Sequence, residues 1–436
     1  MSRETKDSGI EWVGRIPVEW DVRRNKYNFE LDKRIIGNRC EKTQLLSLTK
    51  YGIKAINEEE QTGKVPTSFT TYQVVDKDDL VMCLFDLDVS AVFSGISPYA
   101  GMISPAYKCL KCKSHIHPQY ADYYFRTVFV DRKYKRYSKN VRYSLSSDEF
   151  MALPIVVPPV SEQHRIVNFL DSKCSQIDEI SKKIQEEIDT LEEYKKSVIT
   201  EAVTKGLDPK AEMKDSGIEW IGKIPKSWEL YRIKQVTTND GNGIKIGPFG
   251  SSLSNRIIDD GEFKVYGQAN LVSGDFSWTK NTVNENTFND LKAYEVIPGD
   301  ICVSMMGTIG KCRIVPEGIT RGIMDSHLIK IRLNQDIILS HYFEYVYDKD
   351  NSHICFTQMQ YDKKGSIMDG LNTSIVKNLI VPIPEKEEQK SILLYLNNKC
   401  CTIDDSIKAK RQQLSTLEEY KKSLIYEYVT GKKEVA

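Results

Sequence analysis

The 436-residue chain carries 61 basic and 61 acidic residues, a formal net charge of zero, with 40% hydrophobic and 28% charged residues. That length exceeds one ordinary core, and the composition fits a soluble globular protein of two or three domains. Zero net charge excludes a protein that coats nucleic acid by overall charge, so any nucleic-acid site must come from locally segregated charge.

No apolar run approaches the roughly 18–20 residues that span a bilayer. The opening MSRETKDSGIEW lacks the apolar core of a signal peptide. A cytoplasmic protein with no membrane association is expected, and its ten cysteines read as reduced thiols.

The first recognisable segment is DSGIEWVGRIPVEW at residues 7–20, holding Trp12 and Trp20. Trp12 is expected to pack against a helix, against a partner subunit or within its own domain. Residues 21–157 read as a mixed, strand-rich α+β head with a helix over 118–130. Within it CLKCKSHIH (109–117) offers Cys109, Cys112, His115 and His117, a zinc-like set. No second CxxC accompanies it, and a strand followed by a turn is the better account. RTVFVDRKYKRYSKNVRYS (126–144) sets seven basic residues against the single acid Asp131, with tyrosines interleaved. Such a cluster can hold phosphate and read guanine edges, although a solvated helix face explains it too. Arg132, Lys133, Arg136, Lys139, Arg142 and Tyr143 are its candidate DNA contacts. Arg132→Ala or Arg142→Ala is expected to weaken DNA binding by this head.

From Ser161 to about Lys205 no proline or glycine interrupts the chain. Leu170, Ile177, Ile184, Leu191 and Val198 recur at every seventh position, with Cys174, Ile188 and Ala202 four residues after members of that series. This is the seam of a coiled coil. Ser181 and Lys195 break the seam, and such polar breaks can fix register. At 1.5 Å per residue the helix would be roughly 65–70 Å long.

After a linker at 207–214, DSGIEWIGKIPKSW (215–228) repeats the opening segment at ten of fourteen positions, with Trp220 and Trp228 in place of Trp12 and Trp20. A second α+β head follows to residue 384, with strands at 301–304 and 328–332 and a helix at 339–347. IKIGPFGSSLS (244–254) is a Gly/Ser-rich loop whose Lys245, Ser251 and Ser252 are candidate DNA contacts; a plain surface turn explains it equally well. GTIGKC (307–312) fails as a phosphate loop, because its glycine spacing is wrong and Cys312 stands where Ser or Thr is needed. No catalytic or metal-binding set emerges, so an enzyme is not expected.

Residues 385–436 repeat the helix. Leu396, Ile403, Leu417 and Leu424 form its seam with Cys400, Ile407, Leu414 and Tyr428, broken at Lys410 and Lys421. LEEYKKSVITEAVT (191–204) returns as LEEYKKSLIYEYVT (417–430), and Glu162-Gln163 returns as Glu388-Gln389. The chain is therefore doubled, with constant ends and a divergent middle in each half. It divides into a first head (1–158), a central helix (159–206), the linker, a second head (215–384) and a C-terminal helix (385–436). The two helices are expected to pair antiparallel, with independent amphipathic packing as the alternative.

The repeated DSGIEWxGxIPxxW, the P…EQ that opens each helix and the LEEYKKSxIxExVT that closes it resemble the specificity subunits of type I restriction–modification systems. The resemblance covers essentially the whole chain. It implies two target-recognition domains, each reading one half of a bipartite double-stranded DNA site, with the helices setting the gap between the halves. It implies as partners two methyltransferase subunits that methylate adenine, and motor–nuclease subunits for restriction. S-adenosylmethionine, ATP and magnesium would sit on those partners, and no cofactor on this chain. Trp12, Trp220, Tyr194 and Tyr420 are the candidate partner-binding residues. The first head lacks the GPFGS loop, so the two heads resemble different subtypes. A coiled-coil scaffold that binds proteins through two heads is the rival reading.

Overall fold

The computed structural model describes residues 3–49, 52–56, 68–87, 93–130, 133–138, 143–249, 251–362 and 371–435. Packing divides the chain into two compact units, 1–184 with 412–436, and 185–411. Each unit joins a head to one end of both long helices. Domain boundaries drawn along the sequence at 158/159 and 384/385 therefore separate elements that pack together.

In the first unit, β1 (Asp21–Arg24), β2 (Phe29–Asp32), β3 (Leu80–Met82), β4 (Ser94–Ile96) and β5 (Lys108–Cys112) precede α1 (Pro118–Val130) and β6 (Pro154–Val157). Four of the strands form an antiparallel sheet in the order β2-β5-β3-β4. Helix α1 buries Tyr120, Ala121, Tyr124, Phe125 and Val128, one face at helical spacing, against Phe29, Leu80, Met82 and Leu110. The opposite sheet face, with Val81 and Cys109, packs on Leu46, Leu48, Ile53, Val75 and Ile103. The β1–β6 ribbon leads through Pro158-Pro159, which cannot continue a strand ladder, into the central helix, Val160–Lys205.

In the second unit the elements are β7 (Glu229–Arg232), β8 (Ile244–Ile246), β9 (Phe263–Tyr266), β10 (Ile301–Ser304), β11 (Cys312–Ile314), β12 (Gly322–Met324), β13 (Leu328–Ile331), α2 (Ser340–Tyr347) and β14 (Ile380–Ile383). The sheet β8-β13-β10-β11 repeats the antiparallel order of the first head. The second head adds another four-stranded sheet, in which β9 and β12 run parallel between Thr282–Val283 and Glu295–Val296. The β7–β14 ribbon leads into the C-terminal helix, Lys386–Val429.

The repeated motifs build the same frame in both units. Gln163, fully buried, donates to the carbonyls of Pro158 (2.8 Å) and His115 (3.0 Å) and accepts from the His117 amide (2.7 Å). Gln389 does likewise with Pro384, Ile337 and the Leu339 amide, all at 2.9 Å. Each glutamine thus pins the turn before a head helix to the start of a long helix, satisfying backbone groups that burial would otherwise strand.

The opening repeat clamps helix ends. Gly431 follows the C-terminal helix at φ +70, and a Cβ there would meet the Trp20 ring at 3.2 Å. Gly206 stands at φ +73 against the Trp228 ring in the second unit, again at 3.2 Å. Both positions need glycine twice over, for the left-handed turn and for the close approach.

The helix segments within each unit run antiparallel. In the first unit Phe169 packs at a tilt against Tyr428 (4.5 Å between ring centres) and Lys421 binds Asp178 (2.6 Å). In the second, Lys195 binds Asp404 (2.7 Å), Lys410 binds Glu187, and Arg411 binds Glu192 (2.8 Å). Three of the four seam breaks, Lys195, Lys410 and Lys421, therefore each reach an acid on the other helix. Among the described residues no helix is long and apolar enough to cross a membrane.

Candidate nucleic-acid interface

Strand direction gathers loops at one rim of each head. In the second head Ile246, ending β8, pairs with Ile329, and Ser304, ending β10, pairs with Leu328, both at the start of β13. Strands β9 and β12 end together, Tyr266 opposite Met324, and Asp325–His327 carry the chain from β12 to β13. Residues 247–249, 267–268, 305–308 and 325–327 thus share one rim. Backbone bonds tie them: Gly247 N to Leu328 O, Asp325 N to Tyr266 O and Met305 N to His327 O, at 2.8–3.0 Å.

The first head has the corresponding rim. Asp32, ending β2, pairs with Cys109, and Met82, ending β3, pairs with Lys108. There Leu145 N donates to Leu84 O (2.8 Å) and Leu87 N to Tyr143 O (3.2 Å), while the Asp86 amide donates to the Ser144 hydroxyl (3.2 Å). Asp86 (φ +49) and Tyr143 (φ +47) both hold left-handed backbone. For a bulky tyrosine that conformation is strained, and such strain concentrates at functional sites.

Charge is organised differently on the two heads. On the first, Arg34 reaches Asp32 (2.5 Å) and Asp76 (2.6 Å), and Lys111 reaches Asp76 (2.6 Å). The hydrogen bonds from Lys111 and then Arg34 hold the Asp76 carboxyl below its ordinary range, whereas burial pushes Asp79 up. Carboxylate oxygens of Asp32, Asp76 and Asp79 lie within 4.8 Å of one another, but Arg34 and Lys111 already supply the compensating charge. On the second, Arg332 pairs with buried Asp300 (2.7 Å). Lys330 is buried in β13, donates to the Glu295 carbonyl (2.5 Å), and has its pKa lowered by burial.

The residues singled out from sequence that are described fall in different places. Arg132, Lys139 and Arg142 lie outside the described residues, and Arg136 falls in the 3-10 turn Lys133–Tyr137. Lys133 sits over the Tyr426 ring (4.6 Å) and the Trp12 ring (5.4 Å), so its ammonium packs on the frame. Tyr143 is on the first rim. Lys245 neighbours Lys330 across β8 and β13, with its ammonium 5.9 Å from the Tyr294 ring. Ser252 is exposed in the short helix Ser251–Ser254, beside Phe249.

Trp12 lies 5.6 Å from Tyr124 of α1, and its carbonyl accepts from the Tyr426 hydroxyl (3.0 Å). It packs within its own unit, against both α1 and the C-terminal helix. Trp220 packs at a tilt against Tyr361 (5.4 Å) and lines a groove of about 530 Å³ with residues 193–205 of the central helix. Tyr194 and Tyr420 are half exposed at equivalent positions. Cys109 and Cys112, three apart on β5, pack into different clusters on opposite sheet faces. His115 bonds Asn28, and His117 packs edge-on against His164.

Sequence reasoning passed over Gln268, Met306 and His327 on the second rim, and Arg34 on the first. The only sequence signal for them is position, one to three residues beyond a strand end.

A model of the type I restriction modification DNA specificity domain matches residues 17–190 and 225–418, one copy on each half. A putative type I restriction enzyme specificity subunit of Methanocaldococcus jannaschii, MjaX, is 23% identical over 436 residues, covering 96% of this chain and 95% of that one. The MjaVIII specificity subunit of the same organism is 25% identical over 302 residues, 65% of this chain and 63% of its own. One chain in a solved structure, described as the basis of complex assembly and conformational transition of the type I R-M system, has a TM-score of 0.68 at 12% identity. It covers 95% of this chain and 98% of its own length, and shares the fold. Two domain copies on a doubled chain, with relatives named as specificity subunits, make this a recognition component rather than a catalytic one. The chain belongs to the type I restriction–modification DNA specificity family.

Proposed function

We propose that the chain binds a bipartite double-stranded DNA site, each head reading one half, and directs adenine methylation and restriction by partner subunits. Two methyltransferase subunits and motor–nuclease subunits are the proposed partners, with S-adenosylmethionine, ATP and magnesium on them. Tyr194 and Tyr420, equivalent and half exposed, are proposed partner contacts, as are the half-buried Trp12 and Trp220. The proposed compartment is the cytoplasm.

One observation carries this reading: the same frame holds two unlike rims. Gln163 and Gln389 make matching clamps, yet one rim holds Asp86 and Tyr143 in left-handed backbone and the other exposes Phe249 and Met306. A protein that reads two different half-sequences needs a fixed mount and two different reading ends. Long-read mapping of methylated adenines in a host carrying the system tests it; a bipartite motif with an unspecified gap is expected. A gel shift in which the purified complex retains duplex DNA without sequence preference would favour the scaffold reading instead.

A further inference from the structure

The second rim is built unlike an ordinary loop cluster. Four loops drawn from two sheets meet there, and side chains cross-brace them. The Gln268 amide donates from one loop to the Met306 carbonyl (2.7 Å) and the Thr308 hydroxyl (3.0 Å) of another. Gly247 passes so close to the Asp325 carbonyl that any Cβ would collide with it. Such bracing fixes whatever the loops present to solvent.

Two large apolar side chains stand exposed on them. Phe249 is 62% exposed and Met306 50% exposed, a large unpaired apolar surface for so small a rim. On the 325–327 loop of the same rim His327 is also exposed, and its Nδ1 stands 3.4 Å from the Asp325 carboxylate. A carboxylate only accepts, so a neutral His327 ring places its proton on Nδ1 and turns Nε2 into an acceptor. In the major groove an acceptor meets the amino group of adenine or cytosine, and apolar side chains meet the thymine methyl.

We infer that this rim is the base-reading surface of the second head. His327 accepts from an amino-bearing base, Phe249 and Met306 contact base methyl or face, and Gln268 positions the loops without itself reading. The inference rests on the proposed DNA recognition and goes further, by assigning specificity to residues outside the basic cluster and outside Lys245, Ser251 and Ser252.

The test uses the full chain co-expressed with its methyltransferase subunits in a host lacking other adenine methylation, with methylated sites mapped by long-read sequencing. Phe249→Ala with His327→Ala removes two exposed side chains and no core contact. Asp336→Lys changes an exposed residue beyond the opposite end of β13. The double variant is expected to methylate the native motif about tenfold less or worse and to tolerate substitutions in one half-sequence only; Asp336→Lys leaves the motif unchanged. An intact motif and rate in the double variant overturns the rim assignment while leaving DNA recognition standing. Failure of the double variant to co-purify with the methyltransferase subunits also overturns it, because the rim then docks a protein. Absence of any bipartite motif from the wild type sinks the functional proposal itself.

Discussion

The Tyr120 hydroxyl lies between the carbonyls of Val156 (3.1 Å) and Val429 (3.0 Å), joining a strand of the first head to the last turn of the C-terminal helix. Tyr342 takes the same place in the second unit, 3.1 Å from Pro382 O and 3.4 Å from Val203 O. Both rings are fully buried, and burial pushes both phenols far above their ordinary pKa, so they remain neutral donors. Tyr120→Phe should cost about 1–2 kcal/mol, one buried hydrogen bond plus an undersupplied carbonyl. Tyr342→Phe should cost the lower end of that range, since its Val203 contact is longer. Urea unfolding followed by tryptophan fluorescence measures both; midpoints unmoved in both variants would show that the hydroxyls hold nothing.

The two units differ where the repeated tails differ. Phe169 and Tyr428 meet at a tilt in the first unit, 4.5 Å between ring centres. Their counterparts in the second are Tyr395 and Ala202, and a groove of about 660 Å³ opens beside them, lined also by Tyr194 and Val198. The missing ring of the EAVT tail leaves the space that the ring of the EYVT tail fills. Tyr428→Ala should therefore destabilise the first unit by about 2 kcal/mol, less than a fully buried aromatic because Tyr428 is half buried. Ala202→Tyr should be tolerated within about 1 kcal/mol. Thermal unfolding of the two variants checks the pair, and a large loss from Ala202→Tyr would mean the groove cannot receive the ring.

Glu162 accepts from the Trp20 indole (2.9 Å) and from both terminal nitrogens of Arg3 (2.6 and 2.8 Å). Burial alone would raise its pKa, but the Arg3 and Trp20 hydrogen bonds outweigh it and leave the carboxyl below its ordinary range. A depressed carboxyl adds stability that is fully present above the unfolded pKa, about 4.3, and is lost as pH falls through the folded value. Glu162→Gln should cost about 1.5–3 kcal/mol at neutral pH and flatten the acid limb of the stability profile. A parallel acid limb in the variant would place that dependence elsewhere. In the second unit the buried Trp228 indole has no acceptor among the described residues, and Ala211 stands where Arg3 would be. The corresponding Glu388→Gln should change stability less.

The frame was legible because its signals are periodic or duplicated. Heptad spacing placed Leu170, Cys174 and Ile177 in the seam, and the repeat paired Gln163 with Gln389 before any geometry was known. The strands around Val303 and Ile329 were legible as β-branched runs between turns. Strand adjacency was not, because pairing depends on register over long separations: nothing local brings Arg34, Asp76 and Lys111 together. Composition does not disclose that Trp12 and Tyr426 lie beneath Lys133. Cys109 and Cys112 have a metal-like spacing, yet on a strand three residues apart means opposite faces. The second rim stayed hidden for the same reason, since its loops are neighbours only through the sheet.

Lys195 and Lys421 interrupt an apolar seam, and the structure gives each an equivalent acid, Asp404 and Asp178, at 2.6–2.7 Å. A lysine at a seam position costs stability relative to leucine, but it can be satisfied only where its acid stands opposite. A slip of one heptad would set Lys195 opposite Arg411 or Asn397 and Lys421 opposite Gln185 or Asp171, so neither slip keeps both ion pairs. The pair therefore selects register more than it stabilises. Exposed acids and screening by salt limit the coupling of Lys195 with Asp404 to about 0.2–1 kcal/mol in a double-mutant cycle. Lys195→Leu alone should raise stability of the helix pair, and adding Asp404→Leu should raise it further while loosening register. Disulfide trapping between cysteines placed on the two helices reads this directly. The wild type should cross-link in one register, and the doubly apolar variant in more than one. A single register in both would show that the apolar seam alone suffices to set it.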